Sequence, residues 1–99
     1  MYYGTTTVTM KVGKRFAGIE HLKKLAEHIN HKYNFESEVL GNVTGKIYQS
    51  FLIVKYESLA QGEEFNETLG KDESFQEWFD KSVDLFDWEG TTSNIFRVM

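Results

Sequence analysis

The three histidines of this chain, His21, His28 and His31, fall in one short stretch, and their imidazoles are its plainest candidates for metal or acid–base chemistry. If the stretch is helical, at about 100° per residue His21 and His28 lie two turns apart along one edge and His31 lies further round. A metal clamp on a helix needs spacings of i,i+3 or i,i+4, which only His28 and His31 satisfy, with Glu20 and Glu27 available to complete a set. That is an open arrangement, so the expectation is three solvated surface histidines, no metal site and no metal or haem requirement for folding. The sequence has no cysteine, which excludes a disulfide framework, thiolate zinc sites and a cysteine nucleophile together.

A second group could bind rather than react. Tyr48, Tyr56, Asn42, Asn94 and Arg97, with Gln49, fall on segments that read as strands. A few such polar groups on an apolar lining are the usual form of a small-ligand site. Edge and interface positions with satisfied hydrogen bonds are the plainer alternative. Asp84, Asp87 and Glu89 read as a solvated acidic helix end. The sequons at Asn42 and Asn66 have no signal peptide before them and read as chance matches.

A chain of 99 residues holds one domain, residues 1–99, with enough buried surface to stand without a metal. The formal net charge of −4 and the scattering of the basic residues, densest at Lys11, Lys14 and Arg15, argue against nucleic acid as a partner. No apolar run approaches the roughly 18 residues of a membrane span. Met1 to Gly4 lack the character of a signal sequence, so a cytoplasmic protein is expected.

The elements that must position these residues follow from periodicity. Thr5 to Val12 alternate as a strand, with Thr6, Val8, Met10 and Val12 on one face. From Ile19 to Tyr33 the period is helical, with Ile19, Leu22, Leu25, Ala26, Ile29 and Tyr33 on one stripe and Asn34 as the stop. Glu36–Val43 and Ile47–Glu57 read as strands joined at Thr44-Gly45 into an antiparallel hairpin. Ser58 and Gln61 have capping-box spacing and open a short helix toward Gly70. A further helix opens at Asp72 or Ser74, buries Phe75, Trp78, Phe79, Val83 and Phe86 on one face, and closes at Gly90 before a last strand from Ser93 to Met99. The order predicts an α+β, ferredoxin-like β-α-β-β-α-β domain: a four-stranded antiparallel sheet with its helices on one face.

The strand around Ile47–Tyr56 is apolar on both sides, Phe51 and Ile53 pointing one way and Leu52 and Val54 the other. Helices on one face can cover only half of these, so the sequence predicts a homodimer whose interface is drawn from Phe51, Leu52, Ile53 and Val54.

The element order, with Val54-Lys55-Tyr56-Glu57-Ser58-Leu59 where strand runs into helix and Asp72-Glu73-Ser74-Phe75-Gln76 where the later helix begins, resembles the dimeric α+β barrel superfamily. Its small members include antibiotic-biosynthesis monooxygenases and NIPSNAP-like proteins. The resemblance implies two sheets packed face to face, with a cavity between them and the helices on the far side of each sheet. The monooxygenases place Asn, Trp or Tyr in their cavity, where this chain offers Thr5, Thr7 and Thr9 on its first strand. The haem-degrading members add a His later in the chain, and here none follows His31. Two functions stay open: a cofactor-free protein that binds a small apolar or aromatic molecule or serves assembly, and a cofactor-independent monooxygenase or isomerase acting on a phenolic or polyketide-like substrate.

Overall fold

The alternation of threonine with larger apolar residues makes the N-terminal stretch a strand. In the computed structural model, which describes residues 1–99, it runs as β1 from Tyr2 to Met10. It is followed by α1 (Arg15–Tyr33), β2 (Ser37–Gly41), β3 (Gln49–Tyr56), α2 (Leu59–Gly70), α3 (Glu73–Ser82) and β4 (Phe86–Arg97). The strands form one antiparallel sheet in the order β2-β3-β1-β4, with the three helices on one face. This is the ferredoxin-like arrangement, with the second helical segment split in two.

β1 begins earlier than its alternation suggests because Tyr2, Tyr3 and Gly4 pair with Arg97, Phe96 and Ile95. It ends earlier because the chain turns at Gly13, whose φ of 81° suits glycine, leaving Val12 87% exposed. The helix α1 starts a turn before Ile19, and the buried Gly18 lets its backbone sit directly against the Met10 sulfur. Asn34, in the left-handed conformation at φ 58°, ends it. Ser58 caps α2 by accepting from the Gln61 N–H, and Asp72 caps α3 by accepting from the Ser74 N–H.

Parity decides the two faces of the sheet. In β3, Ser50, Leu52, Val54 and Tyr56 are buried under the helices, while Gln49, Phe51, Ile53 and Lys55 are half-exposed on the other side. Leu52 and Val54 therefore belong to the core, packed with Leu22, Leu25 and Ile29 of α1, and they are unavailable to a partner. Of the four residues expected at an interface, only Phe51 and Ile53 lie on the open face. The register places Tyr3, Leu40 and Phe96 there with them, Leu40 and Phe96 being 44% and 54% exposed.

Two readings of the C-terminal third are corrected. The helix from Glu73 ends at Ser82 rather than Gly90, and Phe86 opens β4, paired with Met10 at the sheet edge. Phe86 continues the helical spacing of Phe79 only by coincidence, and the free edge of β1 decides its conformation. Between Thr7 and Thr9 the partner strand takes five residue steps, from Thr92 to Asp87, against two on β1. This bulge lets Trp88 swing onto Phe79 and donate its indole N–H to the Ser82 hydroxyl. Phe79 and Val83 are 40% and 49% exposed, so they are not part of the core. Asp84, Asp87 and Glu89 are exposed as expected, but on a turn and a strand.

The histidines differ most from expectation. His21 is 9% exposed and stacks on Trp78 with ring centroids 4.7 Å apart and planes 3° from parallel. Its Nε2–H donates to the Trp78 carbonyl at 2.8 Å, and the Trp78 indole N–H donates back to the His21 carbonyl at 2.6 Å. This reciprocal pair fastens α3 to α1. Trp78→Ala should cost about 3–5 kcal/mol, in the range for a buried aromatic. His21→Phe keeps the stack but strands a buried carbonyl, and should cost about 1–3 kcal/mol. Phe79→Ala should cost clearly less than Trp78→Ala. Urea midpoints of the three variants check this order.

Candidate functional site

Tyr56 ends β3 with its ring turned toward the helices, and two glycines make room for it. A Cβ at Gly4 would lie 2.6 Å from Tyr56 Cε2 and 3.3 Å from its hydroxyl oxygen. On the other side, a Cβ at Gly62 of α2 would lie 3.1 Å from Tyr56 Cδ2. The ring is thus held between β1 and α2 by residues with no side chain. It packs edge-on to Phe35 and tilted against Phe65, with centroids 5.6 and 6.0 Å away.

The residue as a whole is only 4% exposed, and its hydroxyl makes no hydrogen bond within the chain but keeps contact with solvent. Burial alone pushes the phenol up to about 12, so it stays protonated at neutral pH. Beside it the sheet and α2 diverge into a groove of about 310 Å3. Leu52 and Val54 form its floor, Ile29, Phe65 and Leu69 its helical wall, and Ile95 its outer side. Asn66, Ser93 and Asn94 stand at the mouth, and no charged side chain lines it. An apolar cleft with a few convergent polar groups at the lower end of the usual ligand-site volumes can hold a small molecule.

The groove is on the helix side of the sheet, distinct from the space between two sheets that the resemblance implies. The parity of Tyr56 places it there: the residue shares a face with Leu52 and Val54. Of the residues singled out by sequence for binding, the groove brings together Tyr56 and Asn94. Asn42 closes the β2–β3 loop by donating to the Lys46 carbonyl at 2.9 Å, and Tyr48 packs against the core near that loop. Arg97 lies over the Tyr2 ring at 5.8 Å. Gly4, Asn66 and Leu69 were not singled out. Phe65 and Leu69, four residues apart on one helix face, were the available signal.

A second polar cluster lies at the junction of α1 and α3. The Asp72 side chain is 1% exposed and accepts from His28 Nε2 at 2.7 Å and the Tyr33 hydroxyl at 2.6 Å, with Lys32 Nζ at 3.3 Å. Burial would raise its carboxyl, but these donors and the Ser74 N–H outweigh burial and hold it well below its ordinary 3.8. Burial, the bond to Asp72 and its charge push the Tyr33 phenol up to about 12. His28 is thus a hydrogen-bond partner of Asp72, and His31 alone is a freely exposed imidazole. No group of three or more His, Asp or Glu side chains is arranged to hold a metal ion. No helix is long and apolar enough to cross a membrane.

No family model matches the sequence, and no curated protein matches it. Among solved structures the fold is similar to a protein from Agrobacterium tumefaciens, at 20% identity and a TM-score of 0.83 over 100% of this chain and 94% of the other. It is similar to an uncharacterized NIPSNAP domain protein from Burkholderia xenovorans at 15% identity, TM-score 0.83, covering 100% and 95%. A candidate antibiotic biosynthesis monooxygenase from Nitrosomonas europaea matches at 16% identity, TM-score 0.76, covering 100% and 99%. These likenesses establish the α+β fold.

Asp72 sets an acid limit on stability. Because its folded-state value is depressed, its contribution is fully present above its ordinary 3.8 and is lost as pH falls through that value toward the folded one. Asp72→Asn keeps an oxygen for the cap but loses the charge, and should cost about 1–3 kcal/mol at pH 7. The gap in melting temperature between the two proteins should narrow from pH 7 to pH 3 and go on narrowing below it, because the unfolded chain takes up the proton before the folded one does.

Proposed function

We propose that this chain is a homodimeric binding protein for a small, largely apolar molecule held in the groove between the sheet and α2. The observation that carries this reading is the Tyr56 hydroxyl, which bonds nothing in the chain and belongs to a residue lining an apolar cavity. Water in the groove can bond that hydroxyl, and a ligand that displaces the water and bonds the hydroxyl in its place keeps the contact while burying its own apolar surface.

The homodimer is proposed from the open face of the sheet. Tyr3, Leu40, Phe51, Ile53 and Phe96 lie there among Thr5, Thr7 and Thr9, and the nearest ion pair, Lys55 to Glu36 at 3.0 Å, is at the rim. A second copy offers the same mixed apolar and hydroxyl surface, with Glu38 and Lys55 as the charged side chains at its β2–β3 end. Four strands about 4.8 Å apart and some eight residues long would bury on the order of 1,000 Å2 over two copies, the lower bound for a specific interface. A domain with a net charge of −4 gives this face no electrostatic reason to meet nucleic acid.

A cofactor-independent monooxygenase is the second reading, favoured by the Nitrosomonas europaea protein named for that activity. The groove's polar groups are hydroxyls and amides, with no carboxylate, imidazole or amine to act as a base near neutral pH. That composition favours binding over proton abstraction.

Both parts are open to test. Phe51→Lys should turn a dimer into a soluble monomer of 11.5 kDa in sedimentation at micromolar concentration, and a wild-type monomer there would overturn the assembly. Ile95→Trp, at a 41% exposed position, should fill the groove, keep the melting temperature and weaken small apolar ligands at least about tenfold. Dioxygen consumption with a phenolic substrate, lost on Ile95→Trp, would instead favour the oxygenase.

A further inference from the structure

The groove's chemistry narrows its occupant. We infer that the ligand is an uncharged molecule with an apolar body that presents a hydrogen-bond acceptor, a ketone, ester or amide oxygen, to the Tyr56 hydroxyl; this rests on the groove being a binding site.

Charge is excluded first. Leu52, Val54, Phe65, Leu69 and Ile95 surround the cavity, and the polar residues that line it are Thr5, Thr6, Asn66, Ser93 and Asn94. An anion entering there would lose its hydration without meeting a cation, and an ammonium would meet no carboxylate. The polarity of the contact follows next. A protonated phenol has one hydrogen to place, and its oxygen is a weak acceptor because its lone pair is shared with the ring. The chain gives that hydrogen no acceptor, and burial keeps the phenol protonated. The ligand group that completes it is therefore an acceptor. The donor is also fixed in place: Tyr56 is held between Gly4 and Gly62 and cannot swing away, so the ligand must bring its acceptor to it. The volume of about 310 Å3 admits a bicyclic body.

Three probes with one frame separate these claims: 2-acetylnaphthalene, 2-naphthoate and 2-ethylnaphthalene. Each is titrated at pH 7 into the isotope-labelled full chain, with the amides of residues 65–69 and 93–95 followed by NMR. The ketone should bind roughly 5–10-fold tighter than the hydrocarbon, the size of one hydrogen bond. It should bind more than about tenfold tighter than the carboxylate. Tyr56→Phe should lower the ketone to the affinity of the hydrocarbon and leave the hydrocarbon unchanged. Its melting temperature should be equal to or above the wild type's, because the hydroxyl bonds nothing in the chain. Equal or tighter binding of 2-naphthoate overturns the uncharged class. A ketone preference that survives Tyr56→Phe, or one absent from the wild type while both neutral probes still shift the groove amides, overturns the acceptor contact and leaves the groove standing. If no probe shifts those amides, the groove is not a binding site and both readings fall.

Discussion

A single buried carboxylate sets where the helices lie. Asp72 joins three parts of the chain at once: it caps α3 through the Ser74 N–H, and it accepts from His28 and Tyr33 of α1 while Lys32 balances its charge. At the far end of the same two helices, His21 and Trp78 exchange a second pair of bonds. With α1 and α3 held at both ends, α2 has little freedom. It buries only Gly62 and Phe65, too little to dock by its own apolar face. Its position comes from its ends, Ser58 at the last turn of β3 and Lys71 beside Asp72. A helix placed in this way can stand off the sheet, and the groove is the space it leaves.

That space has an energetic cost that the core offsets. Filling it with one more large side chain would gain about 1.5–3 kcal/mol of burial, and Gly4 is the position on β1 where such a side chain would go. The chain instead keeps glycine there and lays Tyr56 across it. Ser50, on the same face of β3, has the one fully buried hydroxyl without a partner, and it lies outside the groove lining. Tyr56 differs because a cavity adjoins it.

What the sequence showed and what it hid divide along locality. Ser58, Asn34 and the N-cap at Asp72 were legible because a cap or a stop depends on its neighbours in the chain. The strand from Gln49 to Tyr56 was legible as apolar on both faces. Which face met the helices was not, since Phe51-Ile53 and Leu52-Val54 present equal hydrophobicity. The floor of the groove, Leu52 and Val54, depended on that choice, so it was hidden as well. His21 reads as a surface residue on any helical wheel that ignores Trp78, 57 positions away. Phe86 reads as helix because its spacing from Phe79 suits one, and only the edge of β1 shows it to be strand. The bulge that turns Trp88 inward has no local signature, because it exists to fit one strand to another.

Strand parity also ties the two proposed surfaces together. Along β1, Gly4 and Thr6 face the groove while Tyr3, Thr5 and Thr7 face the open side, and β4 repeats the pattern with Ser93 and Ile95 against Asn94 and Phe96. Each side therefore constrains the other. A one-residue slip of β4 on β1 would carry Ile95 out of the groove and Phe96 off the open face in the same movement. β4 is an edge strand bonded only to β1, and its C-terminal half has no helix above it except across the groove. On the proposed dimer, a second copy packed on Phe96 and Asn94 would hold that half in register. The mouth of the groove, formed by Ser93 and Asn94, would then be rigid before any ligand arrived. Assembly and binding would rest on the same backbone hydrogen bonds, with Thr5 and Asn94, which line the groove from strand positions that face the open side, common to both.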